Sequence, residues 1–503
     1  MQHFDTIIIG SGMGGLASAT ILAKEGQKVC VLEKNKQIGG MLQIFVRDKV
    51  IFDTGVHYVG GLSEGQNLYR LFKYLGIMDK IKIRKMDEDF VDGLIFKDDP
   101  IIYRYAQGYD NFIRVMCSYF PDEEVAIRAF CDKIREICGQ FPLYNLRTGT
   151  YRAEENVYNS INTQTYLESL TSNKKLLCVL AGTNILYAGK PDKTPLHVHA
   201  LIVNHYIESS WKFVDGGSQI ARFLAKEITS RGGKVITRVN VVKLKEEDGK
   251  ITYAEAENGE RYYADRFISN VNPVRTVEIT ESNLIKNAYK SRLKSLDNTT
   301  SIFYANVVLK KNTFKYLNSN IYCFEQEDPW CVLNYTDENW PQGFAMFYVP
   351  SSRSSEYAEG VTVMSYMRMD EVSRWKDTFN IVGKEDDRGE PYEAFKREKA
   401  EKLFDRVEKR FPGFKASIKS YTTASPLTAR DYIGTNDGTI YGYSKDYREP
   451  LKTFLSPRTK IPNLLLTGQN INMHGILGVT ISAVVTCGQI LGLEYLIEKI
   501  RNA

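Results

Sequence analysis

The apolar positions of this chain follow two rhythms, and the switches between them mark the elements. Thr6-Ile7-Ile8-Ile9 is an unbroken, β-branched run of the kind that forms a strand buried on both faces. It enters a glycine turn, and Leu16-Ala17-Ser18-Ala19 leaves that turn with helix composition. Lys28 to Leu32 predicts a second strand, and Met41 to Val46 with Val50-Ile51-Phe52 predicts a hairpin turning at Arg47-Asp48-Lys49. Leu68, Leu71, Phe72 and Leu75 recur at helical spacing. From Phe90 to Tyr105 the pattern alternates around Asp92-Gly93 and Asp98-Asp99-Pro100, which predicts strands joined by turns at those pairs. Tyr109 to Phe141 reads as two helices parted at Pro121, the second started by Asp122-Glu123-Glu124. Thr165 to Ile207 is mostly helical, with an interruption near Gly189 to Pro195.

The pattern changes again at Phe213 to Ser218. A helical run to Ile228, a cap at Arg231-Gly232-Gly233, a strand at Lys234-Val235-Ile236 and turns at Asp248-Gly249 and Asn258-Gly259 follow. Further strands are predicted at Ser301 to Leu309, Phe344 to Val349 and Val361 to Met367, and a charged helix from Pro391 to Phe411. Near the end, Asn463 to Gly468 reads as strand then turn, and Gly475-Ile476-Leu477-Gly478 opens a closing helix. The apolar stretch Ile476 to Ile497 carries Gly, Thr, Ser, Gln and Glu throughout, so it is read as one buried helix and not a membrane span. Strands alternating with helices at both ends of the chain, around a middle of a different pattern, predict an α/β fold whose first domain is discontinuous.

Composition adds limits. At 503 residues two or three domains are expected, and 43% hydrophobic with 25% charged residues is ordinary for a soluble enzyme. The net charge of +5 is small for this length and has no dense basic block, so no nucleic-acid partner is indicated. Cys30, Cys117, Cys131, Cys138, Cys178, Cys323, Cys331 and Cys487 form no C-x-x-C pair, so buried thiols in a reducing cytoplasm are expected, with no zinc site.

The chemistry begins in the first turn. Gly10, Gly12 and Gly15 complete G-x-G-x-x-G between a predicted strand and a predicted helix. Gly10 serves the tight turn, Gly12 the close approach of a pyrophosphate, and Gly15 helix–strand packing. The helix start adds free N–H groups and a positive dipole end. Glu33, ending the second strand, suits a bidentate hold on a ribose diol. Gly39-Gly40 follows six residues later, a pair that a simple nicotinamide-binding domain does not need. This pattern resembles the FAD-binding flavoproteins.

Over nearly its whole length the chain resembles the phytoene desaturase, carotenoid isomerase and retinol saturase family of FAD oxidoreductases. Beyond the glycine turn, the resemblance rests on Phe52-Asp53-Thr54-Gly55-Val56-His57-Tyr58-Val59-Gly60, Asp215-Gly216-Gly217-Ser218, Ile268-Ser269-Asn270-Val271-Asn272-Pro273, and Leu466-Thr467-Gly468-Gln469 through Gly478. The first of these, with Pro426 to Tyr432, looks closest to the retinol saturase branch. The resemblance implies a discontinuous Rossmann-like FAD domain of the glutathione-reductase type, over 1–75, 213–284 and 456–503. An α+β substrate domain over 76–212 and 285–455 is then inserted in it. It implies FAD contacts at Gly10, Gly12, Met13, Gly14, Gly15, Glu33, Lys34, Gly40, Met41, Gly55 and Val241. In the C-terminal motif it implies contacts at Gly468, Gln469, Gly475, Leu477, Gly478 and Val479. Many relatives carry an acid directly after the glycine of this motif; here Gln469-Asn470 stands instead, and an amide can both donate and accept.

Moving hydride to or from a carbon–carbon bond requires a matching proton transfer. His57 and His474 lie in glycine-rich segments expected to flank the flavin, and with Tyr58 they are the candidate catalytic residues, each alternatively a simple hydrogen-bonding group. Arg430-Asp431 reads as a pair that orders a loop. His197, His199 and His205 suggest a metal, but on a helix the first two point about 200° apart, so a helix lining a pocket or the core is preferred. No second G-x-G-x-x-G follows a strand, so NAD(P)H visiting the flavin or a separate redox partner is expected to supply electrons. The expected substrate is a long apolar polyene, retinoid- or carotenoid-like, handled in the cytoplasm with contact at a membrane surface. A flavin-dependent cis/trans isomerase, an FAD amine oxidase and a non-catalytic escort protein are the alternatives.

Overall fold

The structure is a computed structural model that describes residues 3–149, 156–382, 384–435, 437–471 and 473–503. Its first sheet has a parallel half in the order Lys234–Thr237, Val29–Glu33, His3–Ile9, Arg261–Ser269 and Leu464–Leu466. Strands from both ends and the middle of the chain meet here: Ile7 lies beside Cys30 on one side and Phe267 on the other, and Phe267 lies beside Leu464. The sheet continues antiparallel through Lys250–Ala256 and Val241–Glu247. The helix Met13–Lys24 is buried all round because it lies between the sheet and the helices Ser218–Ser230 and Gly475–Leu491. This is a discontinuous Rossmann-like domain, as the sequence predicts.

The second sheet runs Ile418–Ala424, Ser301–Leu309, Gly360–Met367, Gly343–Tyr348, Asn320–Phe324, Asp92–Phe96 and Tyr103–Tyr105. All its pairs are antiparallel except Asn320–Phe324 with Asp92–Phe96. Strict alternation sorts its side chains. Phe303, Ala305, Phe344 and Met346 pack with Leu403, Phe404 and Val407 of the helix Gly389–Arg410. Ile302, Tyr304, Ala345 and Phe347 face the other way, into the core shared with the first domain. The helices Tyr109–Tyr119, Glu124–Gly139 and Leu196–Glu208 pack against one another and close that side.

Two expectations are corrected. Asp92-Gly93 is not a turn but the start of a fully buried strand. Gly93 is there because a Cβ would lie 2.8 Å from Phe90 and 2.9 Å from Ile102, and the Asp92 carboxylate has partners inside the protein. The closing helix is not continuous to Ile497. It ends at Leu491, Gly492 takes φ 93°, and a second helix runs Leu493–Arg501. Among the described residues, no helix is long and apolar enough to cross a membrane, and all eight cysteines are free thiols.

Candidate active site

The strand His3–Ile9 delivers Gly10 at φ 91°, and the helix after it starts directly above the strand end. A Cβ on Gly15 would sit 2.0 Å from the Gly10 carbonyl oxygen, so this glycine sets how closely helix and strand approach. Gly39 at φ 112° and Gly40 at φ 57° bring the next loop against Gly12, to which Gly39 forms a bridge. Glu33 is buried at the end of its strand. It accepts from the Ser11 amide at 2.9 Å, the Ser11 hydroxyl at 2.6 Å and the Asn35 amide at 2.8 Å. A carboxylate has about four acceptor sites, so Glu33 keeps capacity for a diol. Lys34 donates to the Asp431 carbonyl at 2.7 Å, and burial lowers its pKa.

Asn270 is the residue at which this half of the site converges, and its neighbours are glycines for that reason. A Cβ on Gly14 would lie 2.6 Å from its Oδ1, one on Gly12 2.9 Å from its Nδ2, and one on Gly468 2.9 Å from its Oδ1. The N-terminal turn and the C-terminal motif are thereby joined across one side chain. Every dinucleotide-binding candidate from the sequence except Gly15 lines a single cavity of about 950 Å³, as do His57, Tyr58 and His474. The cavity runs along the carboxyl ends of the parallel strands, where ligands of open α/β sheets sit. It also holds buried polar atoms with no partner among the described residues, Asn35 Oδ1 and Thr467 Oγ1. Glycines that leave room for a dinucleotide, a diol acceptor and unsatisfied polar atoms fit a flavin cofactor.

Beyond the glycine cradle the cavity becomes aromatic. The His57 ring stacks on Phe347 with centroids 4.2 Å apart, and its Nε2 lies 3.2 Å from the Tyr304 hydroxyl. Tyr58 stacks on Tyr206 at 4.5 Å, and Tyr441 lies 4.7 Å from the His474 ring. His474 Nε2 donates to the Leu186 carbonyl at 3.2 Å. The surface these imidazoles expose faces the cavity and not bulk water, so desolvation pushes the pKa of His57 down to about 3 and of His474 to about 4. At neutral pH both are uncharged, so neither stores a proton as imidazolium. Asp53, which accepts from the Gly217 amide at 2.7 Å, is pushed up by burial to about 7.

The remaining candidates divide. His197 and His205 line the cavity, whereas His199 points into the core and bonds the Tyr187 hydroxyl at 2.9 Å. Among the described residues, no group of three metal-binding side chains converges. Arg430 and Asp431 order the loop they face: Arg430 donates to the Thr378 carbonyl, and Asp431 accepts from the Asn380 amide at 2.9 Å and from Arg388. Sequence reasoning missed Asn270 as a site residue, and also Tyr206, Tyr304 and Phe347. The last two sit at inward positions of alternating strands, which a pattern of period two marks only once the partner face is known.

Fold and cradle together define a flavin-dependent oxidoreductase. The family model of an NAD(P)-binding Rossmann-like domain matches residues 8–75. The chain is 27% identical to the all-trans-retinol 13,14-reductase of Rattus norvegicus, over 97% of this chain and 86% of that protein. It is 26% identical to the chloroplastic prolycopene isomerase 1 of an Oncidium hybrid cultivar, over 99% of this chain and 85% of the isomerase. Wild-type putrescine oxidase bound to putrescine shares the fold, with a TM-score of 0.64 at 14% identity over 97% of this chain and 99% of the oxidase. The resemblance to the retinol saturase and carotenoid isomerase family thus holds along nearly the entire chain.

Proposed function

We propose that the protein binds FAD and either reduces a carbon–carbon double bond in a long apolar polyene, with NAD(P)H as the transient reductant, or forms one, with an acceptor such as a quinone or dioxygen taking up the electrons. The observation that carries this reading is the character of the cavity beyond the cradle: walls of Tyr58, Tyr206, Tyr304, Phe347 and Tyr441 with neutral imidazoles from His57, His197, His205 and His474. Such walls bind an extended π system by dispersion. Bound FAD supplies hydride chemistry at its N5. The chain's own groups would hold the cofactor's phosphates at the Gly10–Gly15 turn, exclude water with aromatic walls, and place Tyr58 and Tyr304 on the wall of the cavity.

The acids that line the cavity are Glu33, Glu278 and Asp446. None of the three is among the groups that act on Tyr58, Tyr206, Tyr304 or Tyr441, which disfavours the amine-oxidase reading. An isomerase of a polyene is the second reading, favoured by the near-full-length relation to a prolycopene isomerase. Delivery of so apolar a substrate favours contact with a membrane surface. The test is anaerobic: bleach the flavin with NADH or NADPH, then add retinoids and carotenoids. Return of the flavin absorbance with a product two hydrogens heavier supports the reductase. A product of unchanged mass and new double-bond geometry supports the isomerase. No response to any polyene refutes both.

A further inference from the structure

Beneath the aromatic wall lies a buried polar cluster that the sequence did not single out. Tyr58, which lines the cavity, donates its hydroxyl to Asp92 Oδ2 at 3.0 Å, and the same hydroxyl bonds the Tyr322 hydroxyl at 2.7 Å. Asp92 Oδ1 accepts from Asn320 Nδ2 at 2.9 Å. Asp92 is 1% exposed and lies on a strand, not in a flexible loop, so its carboxyl is held in place. Lys212 is fully buried nearby, its ammonium donating to the Ser319 carbonyl at 3.0 Å and the Tyr348 carbonyl at 3.4 Å. Among the described residues it forms no ion pair. A buried acid and a buried ammonium that do not touch are costly to keep unless one of them changes charge.

We propose that Asp92 is the proton reservoir of the cavity, acting through Tyr58. This rests on the carbon–carbon bond reading above. In the reducing direction the π bond opens, one carbon takes hydride from the reduced flavin, and its neighbour takes the Tyr58 hydroxyl proton. While Asp92 is protonated, its Oδ2–H donates to the Tyr58 oxygen across the same 3.0 Å contact, which frees the Tyr58 proton; Asp92 passes its own proton over in the same step and becomes a carboxylate, a charge that Lys212 stabilises. A nicotinamide would return to bound flavin the hydride it gives up, and a proton delivered by water entering between turnovers restores Asp92. Oxidation of the substrate runs the same transfers backwards. Asp92 does not touch substrate; it keeps Tyr58 supplied.

The electrostatics agree. Burial raises the Asp92 carboxyl to about 7, so it holds a proton at neutral pH that an ordinary aspartate would have lost, and burial lowers Lys212 to about 7. The other titratable groups facing Asp92 are Tyr58, Tyr105, Tyr206 and Tyr322, all with pKa values raised far above neutrality and therefore protonated throughout.

The test uses the FAD-loaded protein in two measurements. Infrared pH-difference spectra without substrate should show protonated-carboxyl bands titrating near neutrality from both Asp53 and Asp92, and the Asp92 band should be the one lost in Asp92→Asn while that of Asp53 remains. Lysine titration gives no such band, which separates Asp92 from Lys212. In stopped flow, reoxidation of the reduced flavin by the polyene should slow as pH rises through 7 in the wild type. It should fall at least tenfold and lose that pH dependence in both Asp92→Asn and Tyr58→Phe, while flavin reduction by dithionite stays unchanged. If Asp92→Asn does not fold, Tyr58→Phe, which keeps the ring stacked on Tyr206, decides. A wild-type pH profile in either variant, or wild-type carboxyl bands unchanged in Asp92→Asn, overturns the proposal. If no polyene reoxidises the wild-type flavin, the substrate reading fails, and the carboxyl band alone then decides whether the reservoir exists.

Discussion

Substituting Gly15 by alanine tests the cradle at its tightest point. The new Cβ would sit 2.0 Å from the Gly10 carbonyl oxygen, where a real Cβ comes no closer than 3.0 Å, so the helix start must withdraw by about 1 Å. The helix it belongs to is buried from Met13 to Ala23 and cannot slide freely, so overpacking of this kind costs about 1–3 kcal/mol of stability. The same displacement pulls the amides at the helix start off the pyrophosphate. Two charge-assisted hydrogen bonds at roughly 1.5 kcal/mol each correspond to about a 100-fold rise in the Kd for FAD. Gly26→Ala is the matched control. Its φ is 81°, but nothing lies within 4 Å of the new Cβ, so it should cost about 1 kcal/mol of backbone strain and leave FAD affinity unchanged. The assay is titration of apoprotein with FAD, followed by quenching of flavin fluorescence, with urea denaturation in parallel. Wild-type FAD affinity in Gly15→Ala, or an equal loss in both variants, would refute the reasoning.

Gly442→Ala should also weaken FAD binding, because φ is 74° and the new Cβ would lie 2.4 Å from Asn470 Oδ1, displacing Gln469 beside it; the same titration checks it. Arg388→Met should destabilise by about 3 kcal/mol, since it leaves the fully buried Asp431 without its closest cation at 2.5 Å; the urea midpoint reports it. Stability should fall on acidification from pH 6.5 towards 5. Burial lowers His57, His197, His199 and His205 to about 3 and His474 to about 4, so below pH 6.5 the unfolded chain binds protons that the folded chain refuses. Each contributes about 1 kcal/mol of loss at pH 5.5. Asp53 and Asp92, raised to about 7, act in the opposite sense over the same window but are outnumbered. A urea midpoint that holds steady or rises between pH 6.5 and 5.5 would contradict this.

The dinucleotide half of the site was legible in the sequence because backbone demands write themselves as glycine. Gly10, Gly15 and Gly39 each occupy a position where a positive φ or a close contact forbids a side chain, and such positions show without an alignment. Asp92 illustrates the opposite case. Asp-Gly reads as a turn wherever its surroundings are unknown. Only the register that sets Asp92 beside Asn320, with Tyr58 above it, turns the pair into a buried strand. The aromatic walls were hidden for a related reason. Tyr304 and Phe347 are adjacent to His57 in space but hundreds of residues from it in sequence, and their strands carry apolar residues on both faces. Gly492 escaped because one glycine in an apolar helical run is tolerated as often as it is a break.

The central claim is that the aromatic cavity brings a polyene to the flavin held by the Gly10–Gly15 cradle. It is tested most directly by one anaerobic turnover: protein with its flavin reduced stoichiometrically, mixed with all-trans-retinol or a carotenoid in detergent, and followed by absorbance and product mass. The account predicts recovery of oxidised flavin at the rate at which the polyene loses one double bond. Flavin that stays bleached with every polyene, yet is reoxidised by dioxygen, would contradict it.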